Sequence, residues 1–179
     1  MADLVRGLQA GQAEAYERLV RDYGDRIFRF VRRMVGDRHA DDVTQEAFVR
    51  IHRSIASYEP GGSFDSWLFT IANNLCIDHI RRSRPERSAT PLDALADSVA
   101  DRRAAGALES IEDREVRDAL LAAVHRLPPD QKQVFLLREE AGLPFKEIAR
   151  IMNCPLNTAL GRMHYAMEHL RTSLKAFRE

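Results

Sequence analysis

Cysteine is nearly missing from this chain: its 179 residues include two, Cys76 and Cys154, far apart and in no CxxC pair. That excludes a disulfide framework and a zinc knuckle, and free cysteines of this kind are expected as core thiols. Proline and glycine are also scarce, at seven and nine. Helix interiors avoid both residues, so their scarcity over long stretches points to an all-α chain. Long hydrophobic runs are absent: nothing approaches the roughly 20 apolar residues of a membrane span, and Met1-Ala2-Asp3-Leu4-Val5-Arg6 has no long apolar segment behind a basic start. A soluble, cytoplasmic chain without membrane insertion is expected. The six histidines, at 39, 52, 79, 125, 164 and 169, form no HExxH or i,i+4 pair, and there is no Gly-rich phosphate loop or nucleophile motif. An enzyme is therefore the weakest reading, and no catalytic residue, metal or cofactor is expected.

An excess of charge of one sign is missing too, with 27 Lys/Arg against 27 Asp/Glu. Neutrality argues against nucleic-acid binding only until it is divided along the chain. Residues 91–118 carry four basic against eight acidic side chains, and residues 119–179 carry nine against six. The zero is a sum of opposed segments.

What the chain does have is helical periodicity, and 45% hydrophobic residues suffice to bury real cores. Tyr16, Leu19, Val20, Tyr23, Ile27, Phe30 and Met34 recur at spacings of three and four, which predicts one long amphipathic helix. After Gly36-Asp37-Arg38 a second helix is expected, with Val43, Ala47, Ile51 and Ile55 inward and Asp42, Gln45, Glu46 and Val49 on other faces. Tyr58-Glu59-Pro60-Gly61-Gly62 reads as a loop. Ser63 is placed to cap a third helix whose buried stripe is Phe64, Trp67, Leu68, Ile71 and Leu75. The following segment, rich in Pro, Ser, Ala and Asp, reads as a flexible acidic linker. Apolar periodicity resumes with Val116, Leu120, Val124 and Leu127, stops at Pro128-Pro129 and restarts through Val134 and Leu137.

Near the C-terminus Pro144 stands where a first-turn proline is tolerated, and Phe145, Ile148, Ala149 and Met152 make a short helix. Ala149 is small enough for a second helix to cross closely. Asn153 tolerates the left-handed turn between them, and Cys154-Pro155 start a helix with Leu156, Leu160, Met163, Met167, Leu170, Leu174 and Phe177 at spacings of four and three. That stripe is read as core rather than as a dimerising zipper. The unit is a helix-turn-helix whose second helix would turn Asn157, Thr158, Gly161, Arg162 and Tyr165 towards a major groove. The competing reading is a helical hairpin with no DNA role.

Asp41-Asp42-Val43-Thr44-Gln45-Glu46-Ala47-Phe48, then Phe64-Asp65-Ser66-Trp67-Leu68-Phe69-Thr70-Ile71-Ala72-Asn73-Asn74, then Leu127-Pro128 and the helix-turn-helix resemble the extracytoplasmic-function group of bacterial sigma factors over nearly the whole chain. The resemblance implies two small helical domains, region two at 1–84 and region four at 114–179, joined by a linker at 85–113. It implies a transcription initiation factor that binds core RNA polymerase at the β′ clamp and the β flap and directs it to promoter DNA. Asp41, Asp42, Gln45, Glu46 and Val49 would dock on the β′ helical pair, although rows of this kind are more often solvated faces. Ser57, Tyr58, Gly61, Ser63, Asn73, Asn74, Arg81 and Arg82 would read the minus-ten element as single-stranded DNA. There a flipped base needs a pocket that bonds its edge and a basic path for its backbone. Phe64 and Trp67 are assigned to the core. Arg138, Asn157, Thr158, Gly161, Arg162, His164 and Tyr165 would read the minus-thirty-five element. Leu160 and Tyr165 stand where the family commonly has basic residues, so upstream readout with little arginine and a shallow salt dependence is expected. The linker would thread towards the RNA exit path or serve as an inert tether. An anti-sigma factor is an expected partner. The alternative function is a helix-turn-helix operator-binding regulator that acts without polymerase.

Overall fold

Apolar side chains at three-four spacing form helices that hide one stripe each, and the computed structural model of the protein is helical in every described element. It describes residues 1–59, 61–83 and 111–175, with backbone only for 111–114. The order is α1 (Ala2–Gln9), α2 (Ala13–Val35), α3 (Asp37–Ser54), a 3-10 turn (Ile55–Ser57), α4 (Phe64–Ser83), α5 (Ile111–His125), α6 (Pro129–Glu139), α7 (Phe145–Ile151) and α8 (Leu156–Ser173). The expected linker at 85–113 lies outside the described residues, save for its last three positions, which already belong to α5.

The long helix α2 is the spine of the front half. Leu19, Tyr23, Ile27, Phe30 and Met34 are buried as the periodicity predicts, but Val20 is 54% exposed. Ala15 and Val31 are buried in addition, Val31 on the same side of the helix as Val20. Helix α1, which the apolar pattern of so short a segment does not announce, lays Leu4 and Leu8 into this core. Its close approach to α2 needs Gly7, where a Cβ would lie 2.8 Å from that of Ala15. Helix α3 buries Val43, Ala47 and Ile51.

Ser63 caps α4 as expected, its hydroxyl accepting the Ser66 amide hydrogen at 3.1 Å, a bond that satisfies one otherwise orphaned donor of the first turn. Helix α4 is buried almost all round, with Phe64, Ser66, Leu68, Phe69, Ala72, Asn73, Leu75 and Cys76 inside, while Trp67 and Ile71 are only partly covered. Phe30 and Phe69 meet edge to face at 5.5 Å. Tyr23, Phe64, Tyr58 and Trp67 continue an aromatic chain, and each such pair contributes about 0.5–1.5 kcal/mol beyond the area it buries. Burial pushes the Cys76 thiol up to about 12, which makes it the inert core thiol expected; Cys154 is only half-buried.

The back half turns at Asn153, the one described non-glycine residue with positive φ, at 47°. That is the left-handed turn read from the sequence. Ala149 of α7 and Ala159 and Ala166 of α8 are all buried, and α8 packs against both α6 and α7. The expected apolar stripe of α8 is core only in part. Leu170 is buried, yet Leu156, Leu160 and Met167 stay more than 40% exposed, while Ala159 and Ala166, one residue before Leu160 and Met167, are fully buried. Val116 and Leu120 of α5 are likewise exposed. Phe177 lies outside the described residues.

The two halves touch through α2 and α4. Arg29 Nε donates to Glu140 Oε2 at 3.0 Å and Arg33 also bonds this carboxylate. Arg26 donates to the carbonyls of Glu140 and Ala141 at 3.4 and 2.6 Å, supplying donors to carbonyls that the end of α6 leaves without helical partners. Arg26 also holds Asp65 at 3.1 Å, and Asp65 accepts the Tyr23 hydroxyl hydrogen at 3.0 Å.

Candidate functional site

Three surfaces carry the expected site residues. On α3 the buried positions 40, 43, 47 and 51 fix one face, so Asp41, Asp42 and Gln45 stand fully outward and Glu46 and Val49 at the edge. All five expected residues are thus brought onto one side of one rigid helix. Glu46 accepts from Arg50 Nε at 3.1 Å, the favourable i,i+4 order.

Next to the ridge, Asp42, Glu46 and His39 of α3 and Asp78, His79 and Arg82 of α4 line a recess of about 190 Å³. The rings of His39 and His79 are 4.4 Å apart. Burial, and then the neighbouring His39 and Arg82, hold the His79 imidazole below its ordinary value. Sequence reasoning missed this pair because 40 residues separate its members. Among the described residues no group of three or more His, Cys, Asp or Glu is arranged to hold a metal.

The second surface, around α4 and the loop before it, is divided. Ser57, Gly61 and Ser63 are exposed, as are Asn74, Arg81 and Arg82, and Arg81 lies 3.9 Å from Asp78. Two of the expected residues are not accessible. Tyr58 is 8% exposed: its ring is packed between Phe64 and Trp67, and that burial raises its hydroxyl pKa. Asn73 is 2% exposed, because Gln133 of α6 donates to its Oδ1 at 2.8 Å. A mid-helix Asn is disfavoured by propensity, which singles it out in the sequence, but nothing local reveals that its partner is 60 residues away.

The third surface is the outward side of α8. Asn157, Thr158, His164 and Tyr165 are exposed and Gly161 is half-buried, so the helix-turn-helix presents the expected group together. Three of its guanidinium groups are engaged within the protein. Arg162 pairs with Asp130 at 2.5 Å. Arg150 pairs with Glu147 at 2.8 Å. Arg138 donates to the Leu143 carbonyl at 3.0 Å and lies over the Phe145 ring, so it braces the turn between α6 and α7. Lys146 and Arg150 border a shallow concavity of about 540 Å³ beside Asn153 and Leu156. Among the described residues no helix is long and apolar enough to cross a membrane.

Comparison with known proteins identifies the family of both halves. Residues 19–86 match the family model for sigma-70 region 2, and residues 117–170 match that for sigma-70 region 4. The chain is 34% identical to the RNA polymerase sigma-H factor of Pseudomonas aeruginosa, with 96% of this chain and 92% of that protein covered. It is 30% identical to the ECF RNA polymerase sigma factor SigW of Bacillus subtilis, with 96% and 95% covered. To the ECF sigma factor SigE of Mycolicibacterium smegmatis it is 34% identical over 89% of its length, spanning 62% of that relative. Among solved structures, CnrH in complex with the cytosolic domain of CnrY has a TM-score of 0.69 at 20% identity, covering 97% of this chain and 96% of that one. This last likeness is one of fold alone.

Proposed function

The chain belongs to the sigma-70 family, in the extracytoplasmic-function group, and on that premise we propose how its three surfaces divide the work of promoter-directed initiation. The ridge of Asp41, Asp42, Gln45, Glu46 and Val49 docks on the β′ clamp of core RNA polymerase. The observation that carries this is the burial pattern of α3, which turns all five side chains to one side of a helix anchored by Ala40, Val43, Ala47 and Ile51. A rigid scaffold holds carboxylates at fixed spacing, so the entropy of ordering them against basic partners is already reduced.

Helix α4 and its preceding loop read the minus-ten element as a single strand. Unstacking a base costs a few kcal/mol. Asn74 offers both a donor and an acceptor to a base edge, and Arg81 and Arg82 continue as a basic path from the same helix. The helix-turn-helix reads the minus-thirty-five element with Asn157, Thr158, His164 and Tyr165, with the β flap as its seat on the polymerase. Since Arg138 and Arg162 are occupied internally, few phosphates are neutralised there, and each one not contacted lowers the salt slope by about 0.9. RNA synthesis itself belongs to the polymerase. The domain division at 1–84 and 114–179 follows from these roles. RpoE of Bartonella quintana has been solved with the anti-sigma factor NepR, and a regulator of that class is proposed for this chain.

The test is transcription in vitro with purified core polymerase and genomic template, followed by sequencing of the start sites. Discrete start sites that share two spaced upstream elements and depend on this chain support the reading. Operator binding by the isolated chain, with no added start sites, overturns it.

A further inference from the structure

Leu156 and Leu160 stand in the first two turns of α8 and are 44% and 42% exposed. At about 3.6 residues per turn, and with Ala159 and Ala166 marking the buried side, they share one outward flank with Asn157 and His164, while Thr158, Gly161 and Tyr165 fall on the other. The leucines therefore belong to the end of the helix that a helix-turn-helix lays against base edges. Leu156 also borders the concavity lined by the exposed Lys146, so a cation stands beside the apolar pair, where a groove-bound helix meets backbone phosphates. The four-residue step from Leu156 to Leu160 is about 6 Å along the axis, against about 3.4 Å per base step, so the pair spans neighbouring bases.

A leucine at a base edge selects by what it refuses. Against the donors and acceptors of guanine, adenine or cytosine it strips water and returns no hydrogen bond, which leaves a polar group covered and unpaired. Thymine alone presents an apolar group in the major groove, its C5 methyl. Two guanidinium groups suited to guanine, those of Arg138 and Arg162, are held by the Leu143 carbonyl and by Asp130. We infer that Leu156 and Leu160 select thymine in the upstream element by covering its methyl groups, with Asn157 beside them to bond an adenine edge. The inference rests on the minus-thirty-five role proposed for the helix-turn-helix. Discrimination of this kind adds no positive charge, so it persists in salt that weakens phosphate contacts.

The test uses duplex promoter DNA carrying the upstream element shared by the mapped start sites, bound by the chain together with core polymerase. Deoxyuridine replaces the thymines of that element one at a time, which removes the C5 methyl and leaves the base pairing unchanged. Binding is read by competition with the unmodified promoter. At one or two thymines, loss of the methyl is expected to weaken binding about fourfold, the worth of one methyl group taken out of apolar contact. At such a position 5-methylcytosine should bind better than cytosine. L156A and L160A should each bind the thymine and deoxyuridine forms of one position equally. M167A, which trims an exposed apolar side chain two turns beyond Leu160, should keep the full discrimination. An upstream element without thymine overturns the inference, as does one in which no deoxyuridine weakens binding by even about twofold. A methyl effect that persists in both L156A and L160A overturns it as well, and a protein partner seated on the leucines in place of DNA would give no methyl effect at all. Failure of the unmodified chain to protect the upstream element faults the reader role of the helix-turn-helix and the inference with it, whereas protection without methyl dependence faults the inference alone.

Discussion

The two halves of this chain are built on different packing principles. In the front half, α2 and α4 bring large rings together, with Phe30 and Phe69 fully buried and an aromatic chain running from Tyr23 to Trp67. In the back half the largest fully buried side chains are aliphatic, Leu136, Leu137, Leu143 and Ile148, and large apolar side chains are left outside at Val116, Leu156, Leu160 and Met167. Dispersion and hydrophobic gain scale with the buried atoms, so the ring-filled core makes the front half a platform, and the back half, with a smaller aliphatic core of its own, leans on it through Arg26, Arg29 and Arg33. The two roles proposed above sit accordingly: the docking ridge, which would need to hold its shape, is on the platform, and the proposed reader of a distant DNA element is in the back half.

The largest expected effect is a cavity in the platform. Phe69→Ala removes a fully buried ring and is expected to destabilise the chain by about 3–5 kcal/mol, read as a lower urea midpoint. The contrast between halves breaks if the loss is under about 1 kcal/mol. Overpacking should disturb the back half: Ala159→Leu adds bulk at a fully buried position of α8 at a cost of about 1–3 kcal/mol. Hydrogen exchange should then rise in α7 and α8 before it rises in α2, and uniform acceleration across the chain would contradict the division. Ser63→Ala removes the α4 cap bond at a cost of about 1 kcal/mol, visible in a thermal melt.

The smallest effect is a slope with pH. Because the His79 pKa lies below its ordinary 6.5 in the folded chain, the unfolded chain binds that proton more readily. The contribution to stability is therefore complete above about pH 6.5 and declines as pH falls towards the lowered value. Asp42 and Glu46 from α3 and Asp78 from α4 share the recess and oppose the effect of Arg82 and His39, so the slope is shallow. His79→Gln should flatten it between about pH 7.5 and 5.5, in melts followed by circular dichroism.

Much of this was legible in the sequence where the signal is local. The stripes of α2 and α3, the Ser63 cap, the Asn153 turn and the acidic ridge all follow from spacing and residue type. What sequence did not disclose depends on partners far along the chain. Val20 lies within the allowed spacing of its stripe, and only the position of α1 and α4 decides that Val31 is the buried residue. Leu156 and Leu160 have the right period for a core, but it is Ala159, one position before Leu160, that is buried. Tyr58 and Asn73 read as polar groups available to DNA; an aromatic cluster encloses the first, and a glutamine 60 residues on covers the second.

The central claim is that the outward ridge of α3 is the handle for core RNA polymerase, and gel filtration of the purified chain with purified core enzyme tests it most directly. The unmodified chain is expected to co-migrate with the enzyme, and the charge-reversed pair Asp42→Lys with Glu46→Lys, which leaves the buried face of α3 untouched, is expected to elute alone. Co-migration of the reversed variant at the unmodified level would contradict the account, as would failure of the unmodified chain to co-migrate at all.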